Sequence, residues 1–510
     1  MSQTKIGIQH NSGLVGSELD WSVKKIKSGS YVCWFGLKKK KKVNPDSPRA
    51  PLPPDHPTYS SSCGTCSSSS TLPLLHSSST PPPLLSLSAS RTLPDTMSNH
   101  VRDIPGSPKE SYKMLYSYLY MLEQVNPGTK TCLKLDDRSK FEYLFIALGA
   151  CIEGFAVMRK VIAVEGIRLK NGGVLVFAKA QDPNGQSYPL AFAVVDGENL
   201  ASWTWFFEML KSVIPDSSEL VFISTLHQSL IFAIGNVFPQ AHHGHCLWHL
   251  KEKVKLHACN VNKNIVGQKL MELGRYYTVD DFNSAYDSFK IRCPAAYKYV
   301  EECGIEKDKW ARVFFPRDRY NLDTSNTLGS MKNVFKEATR WALIPMLDCI
   351  IRKFSDWFTQ RKDVVSRSMN TRLVPRVENY LHDLWAVAHK LPVRELDSYE
   401  LKYEITDTAG KVFWATLVGK TCTCKVWDYE KFPCLHGLAA YIYFARNVDG
   451  RRLDIHELCS KYYWTEMWHL AYSRTLNVVP DMASWNVPDQ IKEVKIIPPY
   501  RIKRQGRKRV

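Results

Sequence analysis

The sequence predicts a mixed α/β domain followed by a small metal-stabilised module, with a long low-complexity segment in front. Three observations carry this expectation. Between Val161 and Val237 the apolar patterning runs strand, strand, strand, helix, strand, helix. Three cysteines and a histidine fall within the fifteen residues from Cys422 to His436. Residues 44–96 are dominated by Ser, Pro and Leu, a composition that buries too little apolar area to offset the entropy of ordering.

Composition narrows the classes. A chain of 510 residues has room for two or three domains, and a formal charge of +18 predicts an anionic partner, most simply nucleic acid. The 14 cysteines show no paired framework, and neither a signal-peptide pattern nor an apolar run of about 18 residues is found. A reduced intracellular compartment and no membrane partner are therefore expected, and there clustered Cys and His point to metal rather than disulfide. Residues 1–108 are expected to be disordered. Within them Lys38–Lys42 is an unbroken basic run, either a nuclear signal or a solvated patch, and Cys63-Gly-Thr-Cys66 lacks the second pair that a zinc site requires.

Order is expected from Ser111. Met114, Leu115, Tyr118, Leu119 and Leu122 recur at helical spacing until Asn126-Pro-Gly128 stops the helix. Phe141–Leu148 and Val161–Val164 read as strands, and Val174–Ala180 and Leu190–Val195 as a hairpin around Asp182-Pro-Asn-Gly185. Asn199 can cap a helix whose Trp203, Phe206, Phe207, Leu210 and Ile214 share one face. Leu220–Ser224 is a short apolar strand and Ser229–Val237 a helix. This order opens an RNase H-like α/β fold. Lys251–Trp310 is mostly helical, and Met346, Ile350, Ile351, Phe354 and Trp357 mark an amphipathic helix ending in Arg361-Lys362. Tyr462–Tyr472 is aromatic and helical, and the chain from there to Pro499 is expected to be irregular.

Cys422-Thr-Cys424 and Cys434-Leu-His436 supply the Cys₃His set that structural zinc accepts in a closed tetrahedron. Before them, Tyr403–Val418 alternates and reverses at Asp407-Thr-Ala-Gly410. After them, Leu435–Arg446 is helical. Hairpin, Cys-x-Cys, loop, and Cys-x-His at a helix start resemble the SWIM zinc finger.

Four further blocks, VIAVEGIRLK, GGVLVFAKAQDPNGQSYPLAFAVVDGENLASWTWFFEML, VFISTLHQSLIFAIGNVFPQAHHGHCLWHL and RYNLDTSNTLGSMKNVFKEA, resemble Mutator-like (MULE) transposases. The resemblance runs from about Ser111 to the closing PPYRIKRQGRKR, and plant members of that family include mobile transposases and regulators related to far-red-response transcription factors. It implies a DDE transposase-type catalytic site in which Asp, Asp and Glu hold two Mg²⁺ ions. The implied positions are Glu165, Thr225 and Gly329. A Glu in place of the first Asp shifts the carboxylate by about 1 Å, enough to cost roughly a hundred-fold in rate. Thr225 offers only a hydroxyl and Gly329 nothing, so the triad is expected to be degenerate, with no catalytic residue. Asp196 and Asp323 lie near enough in sequence to substitute, but they read as turn and cap residues. Cys246 and His249, within HHGHCLWH, resemble a motif that the family carries there. They are either a secondary metal site or structural packing, with His242 and His243 solvated in the latter case.

The expected organisation is a low-complexity 1–108 and a transposase-like region 109–400, with core 155–255, helical insertion 256–320 and third-acid helix 321–362. A SWIM finger at 401–450 and a C-terminal extension 451–510 follow. In the tail, Arg501, Lys503, Arg504, Arg507, Lys508 and Arg509 are candidate nucleic-acid contacts or a nuclear signal. Lys508 stands where an AT-hook would want proline. Two functions stay open: a zinc-binding, nuclear, DNA-associated protein derived from a transposase, with the finger available to protein partners, or a functional or recently inactivated transposase acting on terminal inverted repeats.

Overall fold

The computed structural model describes residues 31–33, 108–258, 262–325, 331–447 and 452–499. Lys38–Lys42, Cys63, Cys66, Gly329 and the tail Arg501–Val510 lie outside the described residues, as does all of the expected disordered segment 1–108 except 31–33 and Pro108. Strand β1 (Tyr31–Cys33) comes first, followed by helices α1 (Pro108–Lys113) and α2 (Leu115–Val125). Then come β2 (Lys130–Leu135), β3 (Phe141–Ala147), α3 (Gly149–Phe155), β4 (Val161–Arg168), β5 (Val174–Gln181) and β6 (Ser187–Val195). Helix α4 (Leu200–Lys211), β7 (Val221–Ser224), α5 (Gln228–Val237) and β8 (His242–His245) complete one sheet of order β1-β2-β3-β6-β5-β4-β7-β8.

Antiparallel pairing joins β4 to β5 and β5 to β6, whereas β7 runs parallel to β4 and β8 parallel to β7. The central strands are apolar because both faces are covered. On one face Phe206 and Phe207 of α4 meet Phe145 and Phe222. On the other, Phe354 packs against Phe177 and Phe192, and Phe358 against Tyr188. The side chain of Asn199 accepts from Ser202 N–H at 2.9 Å and starts α4 as its sequence indicates.

Helices α6 (Leu247–Leu256), α7 (Lys263–Leu273), α8 (Val279–Arg292), α9 (Pro294–Glu302) and α10 (Lys307–Trp310) follow, and they enclose their own core of Leu250, Val266, Leu270, Phe282 and Trp310. The stretch expected as a third-acid helix is broken: α11 (Met331–Val334) is short, and the long amphipathic helix α12 spans Leu343–Arg367. After α13 (Pro375–Ala388), β9 (Val393–Asp397), β10 (Lys402–Thr406), β11 (Val412–Thr416) and β12 (Thr421–Cys422) form a second sheet of order β12-β11-β10-β9. Helices α14 (Val426–Glu430) and α15 (Leu435–Asn447) carry the rest of the finger.

The C-terminal stretch is less detached than its composition suggests. Helix α16 (Thr465–Ala471) lies over the β5–β6 turn, where Trp468 Nε1 and Tyr472 OH both donate to Asp182 Oδ2 at 3.0 Å. Helix α17 (Asp489–Lys492) places Ile491 in the main core with Val479 and Val487. Gly185, at φ +88°, closes that turn against Arg376, which a Cβ would meet at 2.6 Å.

Candidate metal centre and the strand-end site

Cys422 ends β12, Cys424 lies in the turn after it, and Cys434 and His436 open α15. Lys425 and Lys431, both at φ 63°, bend the backbone at either side of α14, so two remote Cys-x-Cys and Cys-x-His pairs face each other. Left-handed backbone is costly for lysine and persists only where its surroundings over-determine it. Here Lys425 N–H donates to Cys422 O at 2.8 Å, and Asp428 accepts from Cys422 N–H and from Lys425 Nζ, each at 3.0 Å.

One ligand atom from each of Cys422, Cys424, Cys434 and His436 lies within 4.8 Å of all the others. His436 Nδ1 is 3.7 Å from Cys422 Sγ and 4.0 Å from Cys434 Sγ, close to the separation of about 3.6 Å that tetrahedral zinc bonds impose between S and N. Phe413 stacks on the imidazole at 3.9 Å, and Gly437 N–H donates to Cys434 Sγ at 3.3 Å. Such contacts orient the ligands, as second partners do in metal sites. Hydrogen bonds from Cys422 and Cys434 hold the Cys424 thiol far below the usual thiol range, while the bond with Cys424 pushes Cys422 up to about 12. The donor set fits a closed, four-coordinate soft-metal site, and these residues could hold zinc.

The strand-end site is built differently. In the parallel register Ala163 faces Ile223, and continuing it by two residues leads Glu165, midway along β4, towards Thr225, just past the end of β7. The third region also arrives: Met331 N–H donates to Glu165 Oε1 at 3.0 Å. What meets the carboxylate is no ion-binding set. Lys179 Nζ lies 3.0 Å from the same oxygen, with the lysine side chain fully buried and that of Glu165 only 12% exposed. Lys179 pairs across from Ala163 and so shares Glu165's face of the sheet. Its pKa is lowered by burial, an effect that the Glu165 charge opposes. A lysine following the apolar run Val174–Ala178 was the signal available in sequence; its partner was not.

The remaining candidates have structural partners. Asp196 accepts from Asn199 Nδ2 at 3.1 Å and from the Ser202 hydroxyl. Asp323 binds the Arg275 guanidinium. Cys246 is fully buried, and its Sγ accepts from Ser325 N–H at 3.3 Å and Ser325 Oγ at 3.4 Å; among the described residues no group of three ligands forms around it and His249. His243 is half-buried rather than freely solvated: its Nε2 lies 2.8 Å from Ser224 Oγ, and desolvation, with His245 and Lys309 nearby, lowers its pKa to about 3. Asp454, His456 and Glu457 also cluster, but Arg372 lies 2.9 Å from Asp454.

The finger is joined to the rest of the chain by a set of polar contacts, buried around Glu430 and Arg312, that nothing local in the sequence marks. Glu430, at the end of α14, pairs with Arg312 at 3.5 Å and accepts from Tyr277 OH at 2.9 Å. Lys431 reaches Asp318 at 3.0 Å, and Tyr463 OH donates to Glu430 O at 2.9 Å.

Among the described residues no helix is long and apolar enough to cross a membrane. A segment of 203 residues is 21% identical to Protein FAR-RED IMPAIRED RESPONSE 1 of Arabidopsis thaliana, covering 39% of this chain and 23% of that protein. The family model of the MULE transposase domain matches residues 169–253, and that of the SWIM zinc finger matches residues 411–445. The chain therefore carries a MULE transposase domain, which contains Lys179 and Thr225, and a SWIM zinc finger, which contains all four clustered ligands.

Proposed function

We propose that this chain is a zinc-binding, DNA-associated nuclear protein derived from a MULE transposase, with a core that does not cut DNA. An RNase H-like reading of that core is supported by three antiparallel strands, β6, β5 and β4, continued by parallel β7 and β8 with helices between them. Within it, Glu165, Thr225 and Gly329 are taken as the degenerate triad. In the finger, Cys422, Cys424, Cys434 and His436 are taken as ligands of one zinc ion that holds β12, α14 and α15 together. The proposed modules remain 1–108, 109–400, 401–450 and 451–510. The six basic residues from Arg501 to Arg509 would meet DNA phosphates, and the finger would meet DNA or a protein partner. Nuclear residence is supported by the 203-residue similarity to the far-red-response protein.

The observation that carries the non-catalytic part is the state of Glu165. Strand cleavage by two Mg²⁺ ions requires several carboxylates with oxygens free for metal. Here the one acid at the three positions accepts from an ammonium and a backbone N–H. The test is cleavage and strand transfer on terminal-repeat DNA with Mg²⁺ or Mn²⁺. The wild type and Glu165→Ala should both stay at background, and a triple variant carrying Glu165→Asp, Thr225→Asp and Gly329→Glu should show at most weak activity. Metal-dependent cleavage by the wild type that disappears in Glu165→Ala would establish the working-transposase alternative instead.

A further inference from the structure

We infer that Lys179 serves as a built-in cation at the strand-end site, so that a buried Lys179–Glu165 pair performs the cross-linking that a divalent ion would otherwise perform. The inference rests on the reading of Glu165 as the first triad position and adds the residue that fills the site.

Geometry supplies the argument. Lys179 projects from the central strand β5, covered on all sides, and its Nζ sits 3.0 Å from Glu165 Oε1. A buried ammonium without a compensating anion would shed its proton or destabilise the fold, so the position is tenable only with a carboxylate alongside. The same carboxylate oxygen holds Met331 N–H at 3.0 Å, where the chain returns 166 residues later to begin α11. Three separate segments, β4, β5 and the start of α11, thus converge on one oxygen. A divalent ion placed there would stand against a full positive charge with a single carboxylate to hold it. The other acids that could have joined it, Asp196 and Asp323, are engaged by Asn199 and Ser202 and by Arg275 respectively. The residues present do not fit Mg²⁺; they fit a lysine.

The zinc-loaded full-length protein is titrated with Mn²⁺, free Mn²⁺ is followed by its electron paramagnetic resonance signal, and thermal unfolding is recorded without DNA. Wild type and Glu165→Gln should take up Mn²⁺ identically, and Mn²⁺ should leave the wild-type melting temperature unchanged. Lys179→Met should melt several degrees below wild type, and adding Glu165→Gln to it should recover most of that loss, because the pair is then removed as a unit. Mn²⁺ uptake by the wild type that is lost in Glu165→Gln would overturn the assignment. So would equal and additive losses in the two single variants. Glu165-dependent Mn²⁺ uptake without DNA cleavage would sink only this inference, and cleavage without Glu165-dependent uptake would sink only the non-catalytic reading.

Discussion

The finger and the strand-end site both gather residues of metal-binding families, yet they differ in how far apart those residues are in the chain. The finger takes its ligands from fifteen residues, so one hairpin, two left-handed lysines and a helix start suffice to bring them together. The strand-end site depends on segments around residues 165, 225 and 331 that meet only because a sheet and its covering helices pack. Packing of backbone is insensitive to the donor atoms it carries. A packed scaffold can therefore keep its convergence whichever donors it carries, whereas the finger's ligand cluster, although Tyr403, Ile405, Trp427 and Leu438 are buried beside it, is a local arrangement that metal binding and folding hold together.

The largest expected effect tests the first half of that contrast. Cys434→Ser should lose the zinc, a contribution on the order of 10 kcal/mol in isolated fingers. Because Glu430 and Lys431 tie the finger to Arg312, Tyr277, Tyr463 and Asp318, the loss should broaden or lower the main thermal transition rather than melt residues 401–450 alone. Metal analysis with calorimetry checks both, and full zinc in Cys434→Ser would break the ligand assignment.

Next in size are the two buried ion pairs. Lys179→Met should cost roughly 3–5 kcal/mol, since it leaves Glu165 buried and uncompensated. Glu430→Ala should cost about as much by orphaning Arg312, whose side chain is 6% exposed. Denaturant midpoints measure each. Losses below about 1 kcal/mol would mean that neither pair is a structural tie.

A smaller effect is pH dependence. His243 titrates near 3 when folded against about 6.5 unfolded, because burial disfavours its charged form. Between those values the unfolded chain binds a proton that the folded chain does not. Stability is therefore untouched above about pH 6.5, falls as pH drops below it, and levels off near pH 3. His243→Asn should flatten that slope; a melting curve with the same acid slope in both proteins would exclude His243 as its source.

Smallest for stability is removal of Arg501–Val510, which should leave the melting temperature unchanged. It should reduce the salt dependence of DNA binding by up to about 0.9 per lost cation contact in log–log slope, and weaken nuclear retention most when Lys38–Lys42 is deleted as well. An unchanged slope would remove the tail from the DNA interface.

Much of the strand and helix order was legible because periodicity reports which faces are buried. Val174–Gln181 and α4 follow their apolar patterns closely, and the reversal at Asp407–Gly410 falls between β10 and β11. Strand β8 was illegible: His-His-Gly-His has no apolar alternation, and it becomes a strand only because β7 offers it an edge. Lys130–Leu135 is likewise unmarked, its polar residues masking the alternation that pairs it with β3. In the candidate sites, the clustering of Cys422, Cys424, Cys434 and His436 was legible from spacing.

By itself the sequence determined the finger's Cys₃His set and the apolar strands of the sheet, because each is written in local spacing. Only the tertiary structure decided that Lys179 neutralises Glu165, that Asp182 is sealed beneath α16 and that Glu430 ties the finger to Arg312. Those partners are chosen by packing, and a side chain carries no local mark of the charge that folding will place against it.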